Sequence, residues 1–500
     1  MDLFADATID SVGFDSCWQK HRAVKESSAQ TSQIITNEKQ SQTVVRSEIE
    51  VQTEEKGDGD DWRRFVAASQ NDSQELLDFL IRVEPEVSFQ LEKNLHSRAF
   101  DGYDVVWSDQ LTSVSCLHTL NHLPADELEC TDLSWNSTGS VVGVAYGRFD
   151  RETSSSHKSF VCTWNVDRRV VNSTKADVSI ELNTSPMSIA FHPHLPSLIA
   201  GGTLSGEVIV WDTSREEEPV VASSGIGDES HKEPVLQIKW IPDPYTKGEP
   251  DKPKYYLVSA GSDGRILVWD IVPRASKLKL VDSYVLLTQS VPRRLRISKA
   301  RGDTPMGATA LAFSHENRSL FVAGTEGGGV FKCSLEENPQ DDSTLPRSSP
   351  ITFSFTPHHG PVYSASCSPF HRNLLLTSGT DATIRLYNML QSKPILTVEP
   401  GPGYVFKTQW SPVRPLVFGA ATSDGHVLVC DLKASRIAPV VTLDHGKPVY
   451  AMEFNNKRLN VLASGDGNGT VKVWQLSDQL TTQGPREIRE LDELAQSTLD

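Results

Sequence analysis

A unit that recurs seven times after Cys130 constrains the fold of this 500-residue chain more than any other feature of the sequence. Each unit opens with a short alternating strand, which usually ends in an aromatic residue. It continues through a second strand into small residues and a Gly/Asp turn. A third strand closes in Trp or a substitute, and these closing residues lie 43 to 64 residues apart. A fourth strand connects each unit to the next, so that each unit forms one four-stranded blade. The repetition therefore predicts an all-β fold, namely a seven-bladed propeller over residues 101–478. The closing residues are Trp164, Trp211, Trp269, Cys333, Tyr387, Cys430 and Trp474.

Closure of the ring requires one more strand, because an open propeller would leave an unpaired edge. The segment Val114–Leu120 precedes the first unit, and we expect it to pair with the last one. The segment Arg486–Leu494 is the alternative closing strand. Because that segment is charged, we assign residues 479–500 to a charged C-terminal tail.

Several units carry polar residues that resemble the hydrogen-bonded set of the WD-repeat family, and the resemblance covers roughly three-quarters of the chain. The third unit has His231 before its first strand, Ser259 in its second strand, Asp263 in the turn and Trp269 at its close. The resemblance implies that the Asp accepts from the His, while the Ser links the His to the Trp indole. The corresponding residues are His445, Ser464, Asn468 and Trp474 in the last unit, and His359, Thr377, Asp381 and Tyr387 in the fifth.

A Ser, a His and an Asp could also form a catalytic triad, but a triad occurs once in a protein, whereas this set recurs from unit to unit. The glycine-rich runs at 327–329 and 465–469 fall between second and third strands, where tight turns are expected. The sequence contains neither a P-loop nor an HExxH metal motif. We therefore expect no catalytic residue, no metal and no cofactor.

The first 61 residues differ in composition from the propeller and are predicted to be a disordered arm. Residues 23–61 lack Phe, Trp, Leu and Pro and are rich in Ser, Thr, Gln and Glu. Three Gln-Thr pairs recur in this arm, and the predicted light-chain-binding residues are Gln30, Thr31, Gln42, Thr43, Val51, Gln52 and Thr53. They resemble the segments that the eight-kilodalton dynein light chain adds to the edge of its own sheet. Chance Gln-Thr pairs in a Ser/Thr/Gln-rich tract are the alternative.

Residues 62–100 are predicted to form an amphipathic helical segment. Asp72 or Ser73 can cap a helix, and Pro85 either ends that helix or opens a second one. The apolar stripe of this segment either packs on the propeller or binds a groove of a partner, such as a second light chain. The stripe consists of Leu76, Leu77, Leu80, Val83, Val87 and Leu91.

The charge of the chain bears on the partners to expect. With 48 Lys+Arg against 65 Asp+Glu, the net charge of −17 disfavours nucleic acid and gives no attraction to a membrane. No apolar run is long enough to span a bilayer, and seven scattered cysteines fit a reduced, cytosolic compartment. One basic run is either a solvated insertion loop or a docking patch for an acidic partner surface. Its residues are Arg293, Arg294, Arg296, Lys299 and Arg301.

An arm with light-chain-like segments, an amphipathic helix and a WD-repeat propeller together resemble the dynein intermediate chains. The segments 96–105, 134–140 and 159–165 are most similar to the intermediate chain of the ciliary cytoplasmic dynein, dynein-2. The resemblance implies that the propeller binds the tail of a dynein heavy chain. It also implies that the arm pairs with a second, different intermediate chain through eight-kilodalton and Roadblock-type light chains.

The same resemblance implies a role in retrograde intraflagellar transport and cilium assembly. The expected locations are the cytoplasm, the microtubule cytoskeleton and the cilium, including its axoneme and basal body. A WD-repeat substrate receptor or scaffold of a ubiquitin ligase is the alternative function. Such receptors carry an Arg one residue after the Trp-Asp pair, whereas Arg215 follows Trp211-Asp212 one residue too late.

Overall fold

The computed structural model describes residues 74–95, 114–125, 127–149, 158–215, 217–245, 254–272, 276–290, 304–335 and 349–496. The chain divides into two compact units, Met1–Val106 and Trp107–Asp500. In the first unit the described residues form one helix, and in the second most of them form β-strands. Among the described helices, none combines the length and the apolar character that crossing a bilayer requires.

Helix α1 spans Gln74–Leu95 without interruption, although Pro85 lies inside it. The prediction that Pro85 ends the helix or opens a second one is therefore wrong. Proline lacks the amide hydrogen that would bond to the carbonyl four residues earlier, which costs about 3 kcal/mol inside a helix. Leu, Glu and Gln residues, which favour the helix, are frequent on both sides of Pro85 and offset this local cost.

The strands of the second unit follow the repeats in groups of four, and successive strands within each group pair antiparallel. The first group contains β2 (Glu129–Trp135), β3 (Val141–Gly147), β4 (Ser159–Asn165) and β5 (Val178–Leu182). The second contains β6 (Pro186–Phe191), β7 (Leu198–Thr203), β8 (Val208–Asp212) and β9 (Val220–Ser223). The third contains β10 (Val235–Pro242), β11 (Tyr255–Gly261), β12 (Arg265–Val272) and β13 (Lys277–Val285).

The remaining groups repeat this order. The fourth contains β14 (Ala308–Phe313), β15 (Leu320–Thr325), β16 (Val330–Ser334) and β17 (Ile351–Ser354). The fifth contains β18 (Val362–Cys367), β19 (Leu374–Gly379), β20 (Ile384–Asn388) and β21 (Pro394–Val398). The sixth contains β22 (Val405–Trp410), β23 (Val417–Thr422), β24 (His426–Asp431) and β25 (Val441–Asp444). The last contains β26 (Val449–Phe454), β27 (Val461–Asp466) and β28 (Val471–Gln475), and short 3-10 helices lie at Leu123–Ala125 and Thr288–Ser290.

The first strand of each group packs against the first strands of the neighbouring groups, and β26 packs against β2, so these strands form a closed ring. Strand β1 (Ser115–Leu120) precedes the first group and pairs antiparallel with β28 of the last. The predicted closing strand is thereby confirmed. It places Cys116 opposite Trp474 and Leu120 opposite Val471, so the two ends of the propeller share one sheet.

The described strands form five four-stranded sheets and one eight-stranded sheet. The eight-stranded sheet joins the second and third groups through a single parallel pair, Lys277 opposite Ser223. The core lies between neighbouring sheets; one apolar cluster, for example, combines Ala145 and Val161 of the first group with Ile189 and Trp211 of the second. The all-β, WD-repeat propeller architecture predicted from the repeats is therefore confirmed.

The segment predicted to be a charged tail is instead folded. Helix α2 (Asp478–Thr481) and helix α3 (Glu487–Gln496) follow β28. Leu491 and Leu494 of α3 join an apolar cluster with residues of the fifth and sixth groups, and the Asn388 side-chain amide donates to the Ala495 carbonyl at 3.1 Å. The prediction relied on the many charges of this segment and overlooked Leu491 and Leu494, which lie three residues apart and therefore on the same face of a helix. The segment does not form the alternative closing strand either.

Candidate functional site

The polar set of the third repeat forms a continuous buried chain of hydrogen bonds. His231 Nδ1 lies 3.0 Å from Asp263 Oδ1, and His231 Nε2 lies 2.8 Å from Ser259 Oγ. The indole N–H of Trp269 donates to the same Ser259 oxygen at 2.8 Å. Burial acts to raise the pKa of Asp263, but the hydrogen bond and charge of His231 and two backbone N–H groups outweigh it and lower that pKa. The set thus links a turn, a loop and two strands of one sheet.

The last repeat has the same arrangement with one residue different from the prediction. His445 Nε2 lies 2.6 Å from Ser464 Oγ, and the Trp474 indole donates to that oxygen at 2.7 Å. The carboxylate beside His445 Nδ1 is Asp466, at 3.4 Å, and not the predicted Asn468. Asn468 instead donates its backbone N–H to Asp466. The acid lies two residues earlier because strand β27 extends through Asp466 before the turn.

In the fifth repeat the histidine is His358 and not the predicted His359. His358 Nδ1 lies 3.0 Å from Asp381, and its Nε2 lies 2.7 Å from Thr377 Oγ1. His359 contributes only its backbone N–H to Asp381. The hydroxyl of Tyr387 donates to the Thr356 carbonyl at 2.6 Å and does not reach Thr377. Because two histidines are adjacent in the sequence, spacing alone could not select the one that faces inward.

The geometry of these polar sets indicates that they stabilise the sheets and do not act as nucleophiles. Ser259, Ser464 and Thr377 are fully buried, so no substrate reaches their hydroxyl groups. In the third and last repeats the serine oxygen also accepts from a tryptophan indole. A buried polar group that has all its partners stabilises the sheet, whereas a catalytic serine must be accessible.

A cavity of about 770 Å³ occupies the end of the central channel where the first strands finish. Four charged side chains from different first strands line it. Lys407 Nζ lies 3.3 Å from Asp132 Oδ1, and Glu453 accepts the backbone N–H of Trp135 at 3.0 Å. The fourth, Lys239, has no ion pair among the described residues, although it lies in the field of Glu453 and Asp132.

The channel shifts the pKa values of two of these groups. Partial desolvation in the channel, together with the nearby charge of Lys407, lowers the pKa of Lys239, although the residue keeps access to solvent. Burial raises the pKa of Glu453 to about 7; Asp132 adds to this increase, and Lys239 and Lys407 oppose it. Two acids and two bases therefore compensate one another inside the channel. Sequence analysis missed this cluster, because its members are single polar residues in four distant repeats.

Among the residues that the structure describes, no group of three or more His, Cys, Asp or Glu side chains is arranged to hold a metal ion. The predicted light-chain-binding residues lie outside the described residues, and so does the basic run. These two sets are Gln30, Thr31, Gln42, Thr43, Val51, Gln52 and Thr53, and Arg293, Arg294, Arg296, Lys299 and Arg301.

The predicted apolar stripe of α1 is described, and it is open to solvent. Leu76, Leu80, Val87 and Leu91 are exposed, and Leu77 and Val83 are half-buried. Phe79 and Phe89, which the stripe did not include, are exposed as well. The helix thus presents large apolar side chains around much of its circumference.

Comparison with known proteins extends this picture. The WD domain, G-beta repeat family matches residues 228–270, 349–388 and 438–475. These are the third, fifth and last repeats, the same three in which a histidine joins a carboxylate to a buried hydroxyl. Cytoplasmic dynein 2 intermediate chain 2 of Mus musculus is 43% identical over 501 residues, which covers 98% of this chain and 92% of the mouse protein. This chain belongs to the dynein intermediate-chain family.

Other relatives place the chain within that family. The protein of the same name from Homo sapiens is 45% identical over 437 residues, or 85% of this chain and 80% of the human protein. Dynein axonemal intermediate chain 4 of Rattus norvegicus is 26% identical over 366 residues, or 71% of this chain and 42% of the rat protein. The resemblance found in the sequence is confirmed, and membership implies a place in a dynein complex.

Proposed function

We propose that this chain is the non-catalytic intermediate-chain subunit of the ciliary cytoplasmic dynein, dynein-2. The observation that carries the proposal is the 43% identity to the mouse dynein-2 intermediate chain across 98% of this chain, arm and propeller together. The chain would serve retrograde intraflagellar transport and cilium assembly. It would act in the cytoplasm, on microtubules and in the cilium, at the axoneme and the basal body.

In this proposal the propeller binds the tail of a dynein heavy chain and performs no chemistry. The buried hydroxyls of its polar sets support that role, since they hold the sheets in shape and are inaccessible to a substrate. A rigid ring of sheets offers a large, preformed docking surface, so little entropy is lost when a partner binds. ATP hydrolysis would belong to the heavy chain.

The N-terminal arm pairs this chain with a second, different intermediate chain through eight-kilodalton and Roadblock-type light chains. Each Gln-Thr contact is weak alone, but a dimeric light chain holds two arms together. The later contacts then become intramolecular and gain effective concentration. The exposed apolar side chains of α1, such as Leu80 and Leu91, would bind the groove of one such light chain.

Affinity purification of the full chain from ciliated cells, followed by mass spectrometry, tests the assignment. We expect dynein heavy chain, both classes of light chain and a second intermediate chain. A variant lacking residues 1–61 should keep the heavy chain and lose the eight-kilodalton light chain. Recovery of cullin subunits without dynein subunits would favour a ubiquitin-ligase receptor and contradict the proposal.

Graded replacement of the Gln-Thr pairs tests the arm. Alanine at 52–53, then also at 42–43, then also at 30–31 should cause a stepwise loss of the light chain while the heavy chain is retained. Alanine at Asn37 and Ser47, polar residues of the same arm outside the pairs, is the matched control. If all three replacements leave light-chain recovery unchanged, the pairs are not the binding segments.

A further inference from the structure

Every first strand of the ring has a β-bulge near its start, where the pairing with the second strand shifts by one residue. A bulged residue has no hydrogen-bonded partner on the neighbouring strand. The bulge also changes the direction of its side chain from the regular alternation of the strand. The seven bulges therefore lie at equivalent positions, near the starts of the seven first strands. The bulged residues are Thr131, Met187, Leu236, Thr309, Tyr363, Phe406 and Tyr450.

Three neighbouring bulges carry aromatic residues, and their rings form a continuous chain. The Phe406 ring centroid lies 5.2 Å from that of Tyr363 and 5.0 Å from that of Tyr450. Tyr404 lies 6.4 Å from Phe406, and Phe149, which follows β3, lies 5.1 Å from Tyr450. We call these five residues the aromatic patch.

The other bulges do not continue the patch. The Thr131 hydroxyl donates to the Pro186 carbonyl at 2.7 Å, and the Thr309 hydroxyl donates to the Val362 carbonyl. Both threonines are buried, and so is Met187. The two threonines join neighbouring strands, and Leu236, which is half-buried, is not aromatic, so the bulged aromatic residues occur only in three neighbouring first strands.

The aromatic patch is accessible, and tyrosine makes up much of it. Tyr404 is 50% exposed and Phe149 is 41% exposed, while the other three rings are half-buried. Rings that are fixed by neighbouring rings lose little entropy when a partner binds, and Tyr is enriched at the centres of protein interfaces. An accessible aromatic surface of this kind is typical of a binding site.

Carboxylates border the patch. Asp424 is exposed and lies so close to Gly403 that an added side chain there would collide with its carboxylate. Burial raises the pKa of Tyr450, and the negative charge of Glu129 adds to that increase. The ammonium group of Lys407, next to Phe406, pairs with Asp132 inside the channel.

We propose that the aromatic patch binds a basic amphipathic segment of another subunit, whose apolar side chains pack on Phe149 and Phe406 and whose Lys or Arg side chains lie over the tyrosines. Charge complementarity selects this occupant, since the patch combines π-faces with carboxylates and both attract cations. A second copy of this chain fits poorly, because two acidic patches on proteins of net charge −17 repel each other. The inference does not depend on the heavy-chain assignment, because a basic segment of any subunit satisfies it.

Fluorescence anisotropy with the full-length chain tests the surface. The probe is a labelled 15-residue peptide of Lys and Leu with helical periodicity, and its Glu and Leu counterpart is the comparison. We expect the basic peptide to bind, the acidic one not to bind, and Tyr404→Ala with Phe406→Ala to weaken binding by about ten-fold. These substitutions leave the net charge unchanged, so a general attraction of the peptide to an acidic protein would survive them and would overturn the proposal.

Matched controls keep the test specific. Leu390→Ala and Ile437→Ala remove side chains that are 60% and 81% exposed outside the patch, and binding should be unchanged. Tyr404→Ala alone, at the most exposed ring, provides a variant that folds if the double substitution does not, and it should still weaken binding several-fold. Equal binding of the acidic peptide would overturn the charge argument.

A photo-crosslinking residue in place of Tyr404, in the purified dynein complex, tests the occupant. An adduct with a Lys- or Arg-rich segment of another subunit supports the proposal. An adduct with residues 293–301 of this same chain, an adduct with a second copy, or no adduct would overturn it. A crosslinking residue in place of Leu390 is the control and should not give the same adduct. Whether the heavy chain is recovered with the Tyr404 and Leu390 variants tests the proposed function, independently of the adduct formed at Tyr404.

Discussion

Helices α1 and α3 lie on either side of the propeller in the sequence and differ sharply in the burial of their apolar residues. In α1, Leu76 is 43% exposed and Leu91 is 62% exposed. In α3, Leu491 is fully buried and Leu494 is 7% exposed. The helix with more large apolar residues is the one that leaves them open, so apolar content alone does not decide which helix is buried.

A buried ion cluster accounts for the position of α3. The Arg414 guanidinium donates to both carboxylate oxygens of Glu487, the first residue of α3, and it also lies 3.0 Å from Asp431. All three side chains are at least nine-tenths buried. Two carboxylates raise the already high pKa of Arg414 against the effect of burial. This fixed anchor aligns the first turn of α3, so that Leu491, one helical turn later, enters the cluster between the fifth and sixth groups.

The C-terminal helices belong to the propeller, because Leu480, Leu491 and Leu494 pack in its apolar clusters. Removal of the anchor should have the largest effect. Arg414→Ala would leave Glu487 and Asp431 buried without their cation, and we expect a loss of about 3–5 kcal/mol in the free energy of unfolding. Chemical denaturation measures it. The control Arg489→Ala breaks the exposed pair with Glu493 in the same helix and should cost less than about 0.5 kcal/mol. Equal losses would mean that α3 is not anchored through Arg414.

Truncation of the apolar face of α3 should have the next largest effect. Leu491→Ala would open a cavity in a fully buried site, at a cost of about 3 kcal/mol. Ile488→Ala in the same helix is the matched control, because Ile488 is 47% exposed and should cost less than about 1 kcal/mol. Similar denaturation midpoints for the two variants would contradict the burial of α3.

Substitution in the polar set of the third repeat should cause a loss of stability smaller than that of the α3 substitutions and larger than that of the α1 substitutions. Asp263→Ala leaves His231 without its acceptor, and we expect a loss of about 1–3 kcal/mol. Because folding lowers the pKa of Asp263, its contribution is present above the unfolded pKa of about 4 and declines as the pH falls below it. Thermal unfolding at pH 7 and pH 3 should therefore show a smaller difference between wild type and variant at the lower pH. Asp424→Ala, at the equivalent but exposed turn of the sixth repeat, is the control and should have little effect at either pH.

The repeats predicted the all-β propeller and its closing strand, because alternation and small residues recur along the chain and need no knowledge of distant contacts. The polar set of the third repeat was predicted in full from its resemblance to the WD-repeat family. Prediction failed where the deciding contact is distant or ambiguous. His358 and His359 have the same local context, and only the fold orients one of them inward. Glu487 meets Arg414 across 73 residues, so a segment that is charged in sequence is anchored in the structure. The channel cluster and the aromatic patch are assembled from distant repeats in the same way.

The smallest effect on stability should come from α1. Leu80 and Leu91 are 38% and 62% exposed, so Leu80→Ser with Leu91→Ser should change the free energy of unfolding of the propeller by less than about 0.5 kcal/mol. If α1 binds a light chain as proposed, the same substitutions should reduce recovery of that light chain from cells while the heavy chain is retained. Arg82→Ser, at another exposed position of α1, is the control for helix propensity and should leave both measurements unchanged. A loss of stability comparable to that of Leu491→Ala would show that α1, like α3, is part of the folded core, and the contrast between the two helices would then be wrong.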